Sequence, residues 1–391
     1  MKNVLIFVVF ISQFVFSQNV DFDKGSIVQK KYYELIQFES VYEKIIIPVS
    51  INGKTYRFLL DTGAPNLISN EVMQVLNSDS SKKIVVNDAN NLNQSMQSLV
   101  IPRIEIGKLI FENQVALAFD IKNHNILSCL NIDGFIGSNL LRNSILKIDK
   151  NNQSIIITDQ IELLNTLVMP SKIKLFGTQK APYIEFEFIG KNKEKASDMV
   201  LFDTGMDGLY DMSNRAFSAF ENQNIFEIKG KCEGLSGIGL FGLGKPSLQK
   251  LVLVENAILN NKSIKNLYIS TTDDSNSRIG LEFLNYGNVI LDFKKKNFYF
   301  EAIDSIVLSK DVPKFSPTIL ENKFIIGLVW DENLSEQIKF GDEIISVDNL
   351  KISEMKVCEI LKLSKHLKTK NLYTIEIKNN EGLTNKFTIE K

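Results

Sequence analysis

Along most of the chain, apolar and polar residues alternate in short runs that break at polar turns, which is the period of half-buried β-strands. "KIIIPVSINGKTYRFLLD" (44–61) alternates on both sides of Asn52-Gly53, a strong two-residue hairpin signal. "YIEFEFIGKNKEKASDMVLFD" (183–203) is built alike with a longer polar turn. "LVIPRIEIGKLIFENQVALAF" (99–119) and "LQKLVLVENAILNNKSIKNLYIS" (248–270) predict two more hairpins, and "SILKIDKNNQSIIIT" (144–158) and "NVILDFKKKNFYFEA" (288–302) read as strand, turn, strand. Helical spacing is confined to short pieces such as "SNEVMQVLN" (69–77) and "SNRAFSAFEN" (213–222). The pattern predicts a mainly β protein built from antiparallel barrels.

The same elements occur twice. Two apolar strands end in Asp-Thr-Gly, at 61–63 and 203–205, and each is followed by an Ile-Gly element, "GFIGSNLLRNSILKID" (134–149) and "SRIGLEFLNYGNVILD" (277–292). Asp61 to Gly137 is 76 residues and Asp203 to Gly280 is 77; each glycine lies 12 residues before a matched aspartate, Asp149 or Asp292. The spacing predicts a duplicated unit, about 18–160 and 161–302. A carboxylate at the end of a buried strand is costly without a partner. Two such strands could supply one to each other; the plainer alternative is that each aspartate caps a turn.

Composition narrows the reading. At 391 residues the chain has room for two or three domains, and a net charge of −1 gives no general attraction to nucleic acid or anionic membrane. Residues 1–17 have Lys2, an apolar run and Ser17 before a cut, so a signal peptide, export to periplasm or medium, and no membrane span after cleavage are expected. Cys129, Cys232 and Cys358 are far apart and allow at most one disulfide. His124 and His366 have no ligand at metal spacing, which argues against a metal site and a histidine triad. The glycines of residues 237–242 match a dinucleotide fingerprint and residues 239–245 nearly match a phosphate loop, but neither opens a helix of a βαβ unit and Pro246 sits where the magnesium-binding hydroxyl belongs.

"LLDTGA" with "FIGSNLL", and "LFDTGM" with "RIGLEFL", resemble the aspartic proteases of the pepsin and retropepsin type. The resemblance implies a bilobal pair of β-barrels, a polypeptide substrate, no cofactor, and Asp61 and Asp203 as a catalytic dyad that shares one proton. It assigns Thr62 and Thr204 to hydroxyl bonds across the pseudo-twofold axis, Gly63 and Gly205 to the tight turns, and Ile136-Gly137 and Ile279-Gly280 to support behind the dyad. Flaps are expected near 84–99 and 230–244, with Leu235, Ile238, Leu240 and Phe241 against substrate. Ala64 and Met206 depart from the pattern: without hydroxyls there, the carboxylates lose a donor, and a mildly acidic pH optimum is expected.

After residue 302 the repeat stops. "KFGDEIISVD" (339–348), the helical "VCEILKLSKHL" (357–367) and a closing hairpin resemble a small α+β PDZ domain over 317–391. That resemblance implies an extended peptide ligand at a sheet edge; the alternative is a unit that only packs against the rest. The leading expectation is an exported, monomeric aspartic endopeptidase with a PDZ-like module, set against a weak or inactive peptide-binding protein on the same scaffold.

Overall fold

A computed structural model describes residues 20–76, 82–235, 237–367 and 370–390. The expected signal peptide, 1–17, lies outside the described residues. Of the described residues, 52% are strand and 13% helix, a mainly β fold as the alternating pattern predicts and acid-protease-like as the resemblance implies. The Asn52-Gly53 signal forms a two-residue turn between the paired Ile51 and Lys54, with φ of +52° and +74° at its two positions. Asn260-Asn261 turns in the same way at the end of strand Ser247–Leu259.

A nine-stranded sheet holds the first copy of the Asp-Thr-Gly element. Strand Gly134–Gly137 lies in it between strand Lys54–Asp61, to which it is parallel, and strand Leu67–Ser69, to which it is antiparallel. The second copy repeats this at smaller scale: Arg278–Ile279 lies parallel to Lys195–Phe202 and antiparallel to Tyr210–Ser213. Each Asp-Thr-Gly loop therefore leaves one strand, passes the end of the inserted strand and returns on its other side. Ser69 and Ser213 accept backbone N–H bonds from Val72 and Ala216 and so start the two short matching helices, Asn70–Leu76 and Asn214–Phe220.

The copies are joined through their own repeated strands. Ile145–Asp149 pairs antiparallel with Gly287–Asp292, Leu146 opposite Leu291, so that a 14-stranded sheet runs without a break across residue 160. The matched aspartates cap the polar turns that follow, Asp149 accepting from Asn152 N at 3.0 Å and Asp292 from Lys295 N at 2.8 Å. One hydrophobic cluster, including Ile136, Leu141, Ile148, Phe202, Ile279 and Leu284, spans both copies.

The C-terminal unit is a six-stranded sheet with helices Glu332–Ser335 and Val357–Leu367, and has its own core around Phe324, Ile326, Ile344 and Ile375. Its first strand, Phe315–Leu320, starts two residues before the expected boundary. It is tied down at several points. A disulfide joins Cys129 of the first copy to Cys358 of the helix, and Cys232 is free. Tyr42 Oη donates to Cys358 O at 3.2 Å, Leu235 N donates to Gly327 O at 3.1 Å, and Trp330 packs in a cluster with Leu251 and Tyr268.

We predict that Cys358→Ser lowers stability by about 2–4 kcal/mol, because the bridge closes a loop of 229 residues. Urea unfolding of the oxidised and variant chains reads this, and equal midpoints would contradict it.

Candidate active site

Asp61 is the last residue of its strand and Asp203 follows the last residue of its own; both are buried, at 8% and 3% exposure. The two Asp-Thr-Gly loops bond to each other reciprocally. Thr62 N donates to Thr204 Oγ1 at 2.9 Å, and Thr204 N donates to Thr62 Oγ1 at 3.1 Å. Each hydroxyl then donates across the axis, Thr62 Oγ1 to Phe202 O at 2.6 Å and Thr204 Oγ1 to Leu60 O at 2.8 Å. All four bonds are buried, so no water competes, and each contributes about 0.5–1.5 kcal/mol net.

Gly63 and Gly205 are required for a reason the motif does not suggest. Neither has a positive φ. A Cβ on Gly63 would lie 2.5 Å from Asp203 Cγ, and one on Gly205 would lie 2.6 Å from Asp61 Oδ2. Both glycines lie in their turns as expected, and each leaves room for the opposite carboxyl.

The two carboxyls are drawn together at the loop crossing, each lying against the glycine of the opposite loop. Burial first, and then the charge of Asp203, push Asp61 up to about 7, against the opposing pull of Lys44 and the Gly63 N–H. The loops serve their carboxylates unequally. Asp61 Oδ1 accepts from both Gly63 N, at 2.9 Å, and Ala64 N, at 3.1 Å. Asp203 Oδ1 accepts from Gly205 N at 2.8 Å, while Met206 N donates to the main-chain oxygen of Asp203 instead.

Two basic residues that the motifs did not flag stand beside the dyad. Arg278 Nη1 lies 2.5 Å from Asp203 Oδ2, and its Nε is in ion-pair contact with Asp274 Oδ2, outside hydrogen-bond alignment. Burial works against the Arg278 charge, but Asp203 and Asp274 outweigh it and raise its pKa further. Lys44 Nζ donates to Gly205 O and lies 2.6 Å from Asp207. Asp207 also meets Lys365 of the C-terminal helix at 2.6 Å, and Lys365 meets Glu43 at 3.1 Å. Burial pushes Asp207 up, yet Lys44 and Lys365 together hold it at about 2. A comparison of the two copies was the signal for Arg278, which replaces Phe135 before Ile-Gly.

The first expected flap is the hairpin of strands Lys82–Asn87 and Asn93–Ile106, whose tip reaches the second copy. Asn90 Nδ2 donates to Gly242 O at 2.7 Å and to Gly237 O at 3.2 Å, and Asp88 Oδ2 accepts from Phe241 N at 2.8 Å. Residues 237–242 make a small hairpin here and open no helix. Leu240 and Phe241 join the first copy's cluster around Phe119 and Phe135, the Phe119 and Phe241 rings meeting edge to face at 6.0 Å. Ile238 is 37% exposed, and Leu235 is buried where its N–H meets the C-terminal unit. Among the described residues, no group of three or more His, Cys, Asp or Glu side chains is placed to hold a metal ion.

Residues 47–140, which contain the first Asp-Thr-Gly and its Ile-Gly strand, match the family described as aspartyl protease. No curated protein matches the chain. Among solved structures, conglutin gamma, a basic 7S globulin from lupine seeds, is 11% identical with a TM-score of 0.43, over 70% of this chain and 96% of its own. A retropepsin-like aspartic protease from Rickettsia conorii is 20% identical with a TM-score of 0.24, over 34% of this chain and 94% of its own. The family match stops before Asp203, so the pairing of the two aspartates rests on the geometry above.

Asp61 also links pH to stability. Its folded pKa of about 7 lies above the ordinary 3.8, so the stability it contributes is present below about pH 4 and lost as pH rises through 7. We predict that Asp61→Asn removes this loss: the variant should gain on the parent between pH 4 and 7 and hold the gain above. Denaturant midpoints across that range test this, and a pH-independent difference would contradict it.

Proposed function

We propose that the chain is an aspartic endopeptidase that uses Asp61 and Asp203 to activate water. The observation that carries this reading is the placement of two buried carboxyls, one from each copy, each against the glycine of the opposite loop, on loops locked by the reciprocal threonine bonds. The aspartyl protease match over residues 47–140 supports it. One carboxylate takes a proton from water as the water oxygen attacks the peptide carbonyl carbon, and the other, as acid, gives its proton to the carbonyl oxygen. The tetrahedral adduct then collapses: the nitrogen takes the proton drawn from water by the first carboxylate as the C–N bond breaks, the adduct's O–H returns its proton to the second, and a new carboxyl and a new amine result. No cofactor enters these steps.

Substrate would lie under the 82–106 hairpin, so the contacts of Asp88 and Asn90 with residues 237–242 must open for it to enter. The apolar first-copy cluster that receives Leu240 and Phe241 would then be free for substrate side chains. The C-terminal unit is read as a PDZ-like module that takes an extended peptide beside its edge strand Phe315–Leu320. Export follows from the apolar run near the start of the chain, and a monomer suffices because both aspartates come from one chain.

The test is digestion of a denatured protein mixture from mildly acidic to neutral pH. Asp61→Asn and Asp203→Asn should each reduce cleavage by about 10²–10⁴-fold. Cleavage unchanged by either substitution would overturn the reading.

A further inference from the structure

We propose that Arg278 is a positioning residue that divides the work of the dyad, holding Asp203 as the carboxylate that deprotonates water and so leaving Asp61 as the acid. The proposal rests on the protease reading above. Its basis is the set of donors around each carboxyl. Both oxygens of Asp203 accept strong donors, Oδ1 from Gly205 N at 2.8 Å and Oδ2 from the Arg278 guanidinium at 2.5 Å. Asp61 receives both of its backbone donors on Oδ1, which leaves Oδ2, the oxygen nearest Gly205, free to carry a proton. A charged donor favours the ionised form of what it touches.

Internal comparison points the same way. In the first copy, the residue after Asp-Thr-Gly turns its N–H onto the carboxylate; in the second, Met206 does not, and Arg278 supplies the other carboxylate oxygen with a donor that also carries charge. The first copy has buried Phe135 at the corresponding place, so an apolar residue suits the fold there. A guanidinium taken out of water in its stead requires partners. It has two, Asp203 and Asp274.

The other titratable neighbours leave this asymmetry in place. Tyr183 lies within the electrostatic influence of Arg278, Asp274, Asp203 and Arg215. On the Asp61 side, the charge of Lys44 favours Asp61 ionisation, which opposes the division. Lys44 makes its contacts with Asp207 and the Gly205 carbonyl, whereas Arg278 bonds the Asp203 carboxylate itself. Burial and the Asp203 charge keep Asp61 high.

The experiment is the pH dependence of kcat/KM for a fluorogenic denatured protein with the full chain, Arg278→Gln and Arg278→Lys. The acid limb, which reports protonation of the working carboxylate, should move up by about 1–3 units in Arg278→Gln and return most of the way in Arg278→Lys. A rate loss equal at every pH, with both limbs unmoved, would make Arg278 a structural brace and overturn the proposal. Calorimetric binding of pepstatin from pH 3 to 8 reads the same ionisation without turnover. A chain that binds pepstatin but cleaves nothing fails the protease reading while its pH profile still decides the role of Arg278.

Discussion

Two carboxyl groups brought together inside a protein resist being charged at the same time, and the centre of this molecule is arranged around that restriction. Like charges at hydrogen-bond distance in a poorly solvated site repel strongly, so one proton stays with the pair across a wide pH range. The pair is useful only if the two side chains are held fixed. Here each loop is pinned by a strand inserted between its two arms and by threonine bonds from the other loop. The glycines belong to the same requirement, since a methyl group at either would occupy the place of the opposing carboxyl.

Duplication supplies the symmetry, and the departures from it carry the chemical detail. Strand Ile145–Asp149 pairs with its own copy, Gly287–Asp292, which sets the two halves face to face. Around the dyad the halves then differ. Ala64 N reaches a carboxylate and Met206 N does not, and Phe135 is answered by Arg278. A symmetric pair would share its proton evenly; unequal donors make the two carboxyls chemically different.

The C-terminal unit connects to this centre by charge as well as by a covalent link. Its helix carries Cys358, bonded to the first copy, and Lys365, which meets Asp207 two residues beyond Gly205. Lys44 joins the same aspartate and also bonds the Gly205 carbonyl. A displacement of the helix would therefore remove one of the two cations that keep Asp207 ionised beside the second loop. The backbone hydrogen bond from Leu235 N to Gly327 O anchors the base of the glycine-rich segment to the same unit.

Much of the fold was legible because strand alternation, Asn-Gly turns and repeated motifs are local patterns, fixed by the pleat and by the few backbone shapes a short turn allows. The hairpins at 44–61, 99–119 and 248–270 could be read this way, and the paired motifs marked Asp61 and Asp203 as candidates. The sequence by itself determined that two like strands each end in a carboxylate. Only the tertiary structure decided that Arg278 touches Asp203, that Phe241 packs near Phe119, and that Cys129 reaches Cys358. These contacts join residues 75, 122 and 229 positions apart, where no local rule relates one side chain to another. They depend on how finished strands and hairpins pack, and packing is settled by the whole core at once.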